Sequence, residues 1–141
     1  MIYNLVSLPD TIGNLSELTT LDITSCVSLV SLPDCIGNLR KLTSLVLTGC
    51  FNLVSLPESI GNLSQLHTLD LHECSKLEYV PECIVALHQL TSVYLSGCFH
   101  LEALPDLFAL PHIHCVSWMN GSMWEGEDIC DMHILDLSHC E

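Results

Sequence analysis

LTTLDITSCVSLVSLPDCIGNLRK, residues 18–41, decides the fold. Leu21-Asp22-Ile23 alternates apolar and polar side chains, the mark of a short strand with one buried face. After the strand come Leu29, Leu32, Ile36 and Leu39, enough apolar groups for a return path to point back at it. Pro33 and Asp34 suit the first turn of a short helix. Proline lacks the N–H which that turn leaves unused, and the acid faces the helix dipole. Gly37 and Asn38 suit its end.

This stretch is one copy of a repeat. Pro9, Pro33, Pro57, Pro81 and Pro105 recur at one constant interval, and Cys26, Cys50, Cys74 and Cys98 recur at the same interval. LPDTIGNL starts at Leu8, LPDCIGNL at Leu32 and LPESIGNL at Leu56. VPECIVAL at Val80 is a weaker copy, and LPDLFAL at Leu104 is one residue shorter. The strand counterparts are Leu45-Val46-Leu47, Leu69-Asp70-Leu71 and Val93-Tyr94-Leu95. Strands that recur with a return between them stack in parallel, about 4.8 Å apart. One unit cannot bury its leucines alone, but stacked units can. Each fully buried Leu or Ile contributes roughly 1.5–3 kcal/mol. The expected fold is an α/β solenoid with a parallel sheet on its concave face.

Written as LxxLxLxxCxxLxxLPxxIGNL, the unit resembles a leucine-rich repeat, most of all those of plant intracellular nucleotide-binding disease-resistance receptors. The resemblance covers about residues 4–110 and implies a right-handed horseshoe segment. Beyond it, Ile113, Val116 and Trp118 take the next strand slots, with Gly121 in place of the cysteine. Met132, Leu135, Leu137 and Cys140 restore the slots after a shortened interval, so 111–141 reads as degenerate repeats around an irregular excursion. The whole chain is expected to be one leucine-rich repeat domain. Neither end carries an obvious polar capping unit, which suggests a piece of a longer receptor or a truncated gene product. The resemblance also implies a nucleotide-binding switch domain upstream. No GxxxxGK[ST] occurs in these 141 residues, so ATP binding through that motif is excluded here.

Composition narrows the partners. A formal charge of −14 with only three Lys or Arg residues cannot build a phosphate-binding surface. Nucleic acid and anionic membranes are therefore not expected as partners, whereas a basic protein surface is attracted at low salt. A hydrophobic fraction of 49% is too high for a disordered acidic chain. No run of about 18 apolar residues predicts a membrane span, and MIYNLVSLPD has no basic start typical of a signal peptide. The expected location is the cytoplasm or nucleus.

Several constellations could carry chemistry. The Cys26–Cys50–Cys74–Cys98 ladder lies within disulfide reach by Cα spacing, but parallel Cβ vectors hold the Cβ atoms too far apart. Buried thiols bonded weakly to backbone are the expectation. His112, His114, Cys115, Cys130, His133, His139 and Cys140 are ligand types zinc prefers, yet they form no CxxC or HxxxH pair, so no metal is expected. Glu125, Glu127, Asp128 and Asp131 lack calcium-loop spacing and read as a solvated loop. The NxS sequons at Asn14, Asn62 and Asn120 would be glycan acceptors in a secreted protein; without a signal-peptide start and with unpaired thiols, they read as chance plus the GNL repeat.

The polar positions flanking the strand leucines point outward from the sheet. They form three rows: Thr20, Ser44, Thr68, Ser92, Cys115; then Asp22, Val46, Asp70, Tyr94, Ser117; then Thr24, Thr48, His72, Ser96, Met119. His67 and Glu73 widen this patch. Tyr94 is its one large aromatic anchor, of the kind that often dominates binding energy. The candidate partner-binding residues are Asp22, Thr24, Val46, Thr48, His67, Asp70, His72, Glu73, Tyr94, Ser117 and Met119. No nucleophile–base–orienter trio stands out, and an open face offers no enclosed pocket. A non-catalytic recognition module without cofactor is therefore expected. By the resemblance, its partner is a pathogen effector, a host protein or its own nucleotide-binding domain. A second class, the substrate adaptor of a ubiquitin ligase, has somewhat longer repeats that lack LPxxIGNL.

Overall fold

A computed structural model describes residues 4–117 and 135–136. Five short strands follow the repeat: β1 (Thr20–Asp22), β2 (Ser44–Val46), β3 (Thr68–Asp70), β4 (Ser92–Tyr94) and β5 (Cys115–Ser117). They pair in sequence order and in parallel. The register puts Leu21, Leu45, Leu69, Val93 and Val116 in one row, and Asp22, Val46, Asp70, Tyr94 and Ser117 in the next. Each strand begins one residue earlier than the alternation suggests. Backbone bonds continue the ladder past β1, β2 and β3. The Leu47 N–H donates to the Asp70 carbonyl and the Gly49 N–H to the His72 carbonyl, both at 2.8 Å. A second, thinner ladder of single parallel bridges runs through Ser7, Ser31, Ser55, Tyr79 and Ala103.

The leucines form columns between coils. Leu29, Leu53 and Leu77, then Leu39, Leu63 and Leu87, then Leu42, Leu66 and Leu90, have no exposed surface. From Ile23 onward each coil covers its neighbour, whereas Leu5, Leu8, Leu18 and Leu21 of the first coil are only partly buried.

The returns are tighter than expected. Asp10–Asn14, Asp34–Asn38, Glu58–Asn62, Glu82–Ala86 and Leu107–Ala109 are 3₁₀ turns, and no α-helix occurs among the described residues. The Ile36 N–H donates to the Pro33 carbonyl at 3.0 Å and the Leu39 N–H to the Ile36 carbonyl at 3.1 Å. Such i→i+3 bonds align residues three apart on one side, so Ile36 and Leu39 both face the core, fully buried. Pro33 stands just before the turn in extended conformation, with φ −72° and ψ 152°.

The repeated glycine has a different purpose from ending a helix. A Cβ on Gly37 would lie 2.6 Å from the Ser59 carbonyl oxygen, and one on Gly13 would lie 2.8 Å from Cys35 Cβ. The missing side chain lets one return lie directly on the next.

One correction concerns the end of the sheet. Strand β6 (Leu135–Asp136) pairs with β5 antiparallel, Val116 opposite Leu135. The stretch 118–134 contains no LPxxIGNL return to carry the chain back across the coil, and an antiparallel neighbour needs no crossover. Among the described residues no helix is long and apolar enough to cross a membrane.

Candidate functional site

The polar rows lie where the period places them. Thr20, Ser44, Thr68, Ser92 and Cys115 are in register, as are Asp22, Val46, Asp70, Tyr94 and Ser117. Their alternation with buried Leu45, Leu69 and Val93 fixes the outward direction of the described side chains. Ser117 is placed by its backbone beside Tyr94, and Met119 lies outside the described residues.

The centre of the face is a linked group. Asp70 Oδ1 accepts a hydrogen bond from the His72 backbone N–H at 3.0 Å and lies 2.9 Å from His72 Nδ1. The His72 ring stacks on Tyr94, with centroids 5.3 Å apart and planes 18° from parallel. Asp70 therefore orients His72, and His72 braces the aromatic anchor. Asp22 makes the same local turn two coils earlier. Its carboxylate accepts from Thr24 Oγ1 at 2.6 Å and from the Thr24 N–H at 3.0 Å. Those two bonds, the side-chain one first, hold the Asp22 carboxyl below the usual carboxylate range. Val46, between the two acids, is half-buried. His67 sits at the opposite end of β3. It turns Nδ1 back to within 2.6 Å of the Gln65 carbonyl, away from the Tyr94 group.

Beyond the strands the chain turns sharply before each ladder cysteine. Ser25 (φ 62°), Gly49 (73°), Glu73 (58°) and Gly97 (85°) occupy this left-handed slot. For Ser and Glu the conformation is uncommon and strained. The slot after each cysteine holds Val27, Phe51, Ser75 and Phe99. Phe51 and Phe99 are 43% and 63% exposed. They help line an open groove of about 700 Å³ with Thr48, His72, Glu73, Ser75, Ser96 and Gly97. The two phenylalanines are absent from the rows read in sequence. The available signal was an aromatic residue in a slot that needs no leucine.

The ladder cysteines are free thiols among leucines. Cys50 Sγ donates to the Ile23 carbonyl at 3.4 Å, Cys74 Sγ to Leu47 at 3.3 Å and Cys98 Sγ to Leu71 at 3.1 Å. Desolvation pushes Cys50 up to about 11 and Cys98 up to about 12. Cys74 is raised further, again chiefly by burial. These thiols bind one coil to the carbonyl of the previous one and are poor nucleophiles.

Among the described residues no group of three or more His, Cys, Asp or Glu side chains could hold a metal ion. Of the C-terminal histidines and cysteines, His112, His114 and Cys115 are within the described residues. Cys130, His133, His139 and Cys140 lie outside them, as does the acidic stretch Glu125, Glu127, Asp128 and Asp131.

Residues 10–96 match the family described as Zer-1-like, leucine-rich repeats. The chain belongs to this leucine-rich repeat family. The leucine-rich repeat domain of the type III effector XopL is 38% identical, with a TM-score of 0.67 over 76% of this chain and 36% of that one. A leucine-rich repeat protein of Leptospira interrogans is 27% identical, with a TM-score of 0.52 over 83% of this chain and 34% of that one. The chain thus spans about a third of the length of these solved structures. No curated protein matches it. The repeat reading is borne out. A plant receptor is named by none of these matches. Domains of this kind are generally protein-interaction modules.

Proposed function

We propose that the strand-side face around Tyr94 is a non-catalytic protein-recognition surface, and that it acts in a defence-type receptor. There it contacts a pathogen effector or a host protein and restrains a nucleotide switch domain in the cytoplasm or nucleus. The observation that carries the recognition reading is the braced group Asp70–His72–Tyr94 on an open sheet face. An aromatic ring already fixed by a stacked neighbour loses little conformational entropy on binding. The defence role is supported by LPxxIGNL and by the cysteine in each repeat. The whole chain, residues 1–141, is proposed to be one leucine-rich repeat domain. Asp22, Thr24, Val46, Thr48 and Glu73 extend the surface along the coil, His67 marks its far rim, and Ser117 and Met119 are proposed as further partner-binding positions.

A substrate adaptor of a ubiquitin ligase is the second reading. The match to Zer-1-like repeats, which is not a match to a receptor family, favours it.

The test is quantitative affinity purification from an extract of the encoding organism. The double change Asp70→Ala with Tyr94→Ala is expected to abolish the specific partners while far-UV circular dichroism stays unchanged. Retained partners would remove the face. Among partners lost, a nucleotide-binding domain supports the receptor role, whereas ligase core subunits support the adaptor.

A further inference from the structure

The slots around the groove alternate in size. After the ladder cysteines, Phe51 and Phe99 flank the small Ser75, and in the left-handed slot Gly49 and Gly97 flank Glu73. The outcome is a notch with two aromatic walls, a floor of small residues and one carboxylate. The phenylalanines stand two coils apart, roughly 10 Å by strand spacing, which admits one side chain between them. Ser75 Oγ donates to the Phe51 carbonyl at 3.4 Å and ties the floor to one wall. Glu73 is exposed, and its carboxylate makes no hydrogen bond or ion pair among the described residues. It also holds a left-handed backbone where both neighbouring coils use glycine. Ser25 shares that conformation with a short side chain and has no such walls.

Charge selects the occupant. The chain carries −14 with three basic residues. Lys41 pairs with Glu17 at 2.7 Å, Lys76 donates to Asn52 Oδ1 at 2.7 Å, and Arg40 follows the return turn Asp34–Asn38. None of them lines the notch. A cation is therefore the missing complement to Glu73, and two phenyl faces favour a flat one that stacks.

We propose that the notch between Phe51 and Phe99 receives an arginine side chain of the protein partner, with its guanidinium against the rings and its charge paired with Glu73. This rests on the recognition reading and names the partner's chemistry at the edge of that face.

The test is an amide NMR titration of the 141-residue chain with the peptide Gly-Ser-Arg-Ser-Gly amide. The same peptide with citrulline, lysine or leucine at the centre serves as comparison. The arginine peptide is expected to shift the amides of Gly49, Glu73, Ser75 and Gly97 and to bind at least about tenfold more tightly than the citrulline peptide, which keeps the shape and loses the charge. Glu73→Gln, which preserves size, is expected to cut that preference to about threefold, the remainder being the charged guanidinium against the rings. Phe51→Ala with Phe99→Ala, checked for an unchanged amide spectrum elsewhere, is expected to abolish binding. Equal binding of the citrulline or leucine peptide, preference for lysine, or shifts spread away from these residues would overturn the proposal. If the arginine peptide fails while the Asp70→Ala, Tyr94→Ala chain still loses its partners, the notch assignment falls and the recognition face stands. Binding in the notch by a chain whose double variant keeps its partners has the opposite meaning: the notch stands and the Tyr94 surface falls.

Discussion

Leu69 has no exposed surface and stands in register between Leu45 and Val93, so its side chain belongs to three coils at once. Leu69→Asp puts a carboxylate where no partner can reach it. The expected cost is on the order of 5 kcal/mol, comparable to the total stability of a small domain. Loss of a cooperative urea transition, read by circular dichroism, checks it, and a native-like transition would contradict the shared column. Gly37 is a subtler case. Its φ is ordinary, so the constraint is space: an added Cβ meets the Ser59 carbonyl at 2.6 Å. Gly37→Ala is expected to destabilise by about 1–3 kcal/mol, seen as a lower urea midpoint. The sequence shows that Gly37 matters, because the residue recurs at Gly13 and Gly61. It does not show why, since the obstacle is Ser59, which belongs to the next coil and is remote along the chain.

At the scale of the element, the ladder thiols couple packing to pH. Folding raises Cys50 to about 11 and Cys98 to about 12 from an ordinary thiol value near 9. The unfolded chain releases these protons first as pH rises, so it binds fewer protons than the folded chain above pH 9. The stability from protonated, buried thiols is complete below pH 9. It declines as pH climbs through about 11 and 12. Thermal melts from pH 7.5 to 11 are expected to show a midpoint falling above 9, and replacing Cys50, Cys74 and Cys98 by Ala is expected to flatten that fall. A midpoint that ignores the three substitutions would place the thiols in water. Much of this element was legible. The even spacing of the repeat stacks the cysteines, and their arrangement offers no zinc pattern. The 3₁₀ form of the returns was less so, because Pro33-Asp34 followed by apolar groups suits an α-helical turn equally well. The i→i+3 bond from the Ile36 N–H to Pro33 is chosen by how little chain remains to cross the coil.

At the scale of the molecule, period alone placed each strand beside the next, so the rows of Asp70 and Tyr94 could be written from the repeat itself. The link from Asp70 through His72 to Tyr94 was not written there, because it depends on side-chain rotation on two adjacent coils. Phe51 and Phe99 escaped for another reason. They lie outside the strands whose alternation defines the face, and only the turn after each cysteine carries them to its edge. The reversal at β6 likewise falls where the repeat signal has faded. What unites these features is a division of labour between the two sides of the coil: the returns pack through Gly13, Gly37 and Gly61, while the strand side presents varied groups outward. Site-specific photo-crosslinking tests that division most directly. A benzophenone residue is placed in the intact chain at Thr48, on the strand side, or at Asn62, on the return side, and irradiated with the source extract. Protein adducts from position 48 and none from position 62 are the expected result; adducts from position 62 with none from 48 would contradict the account.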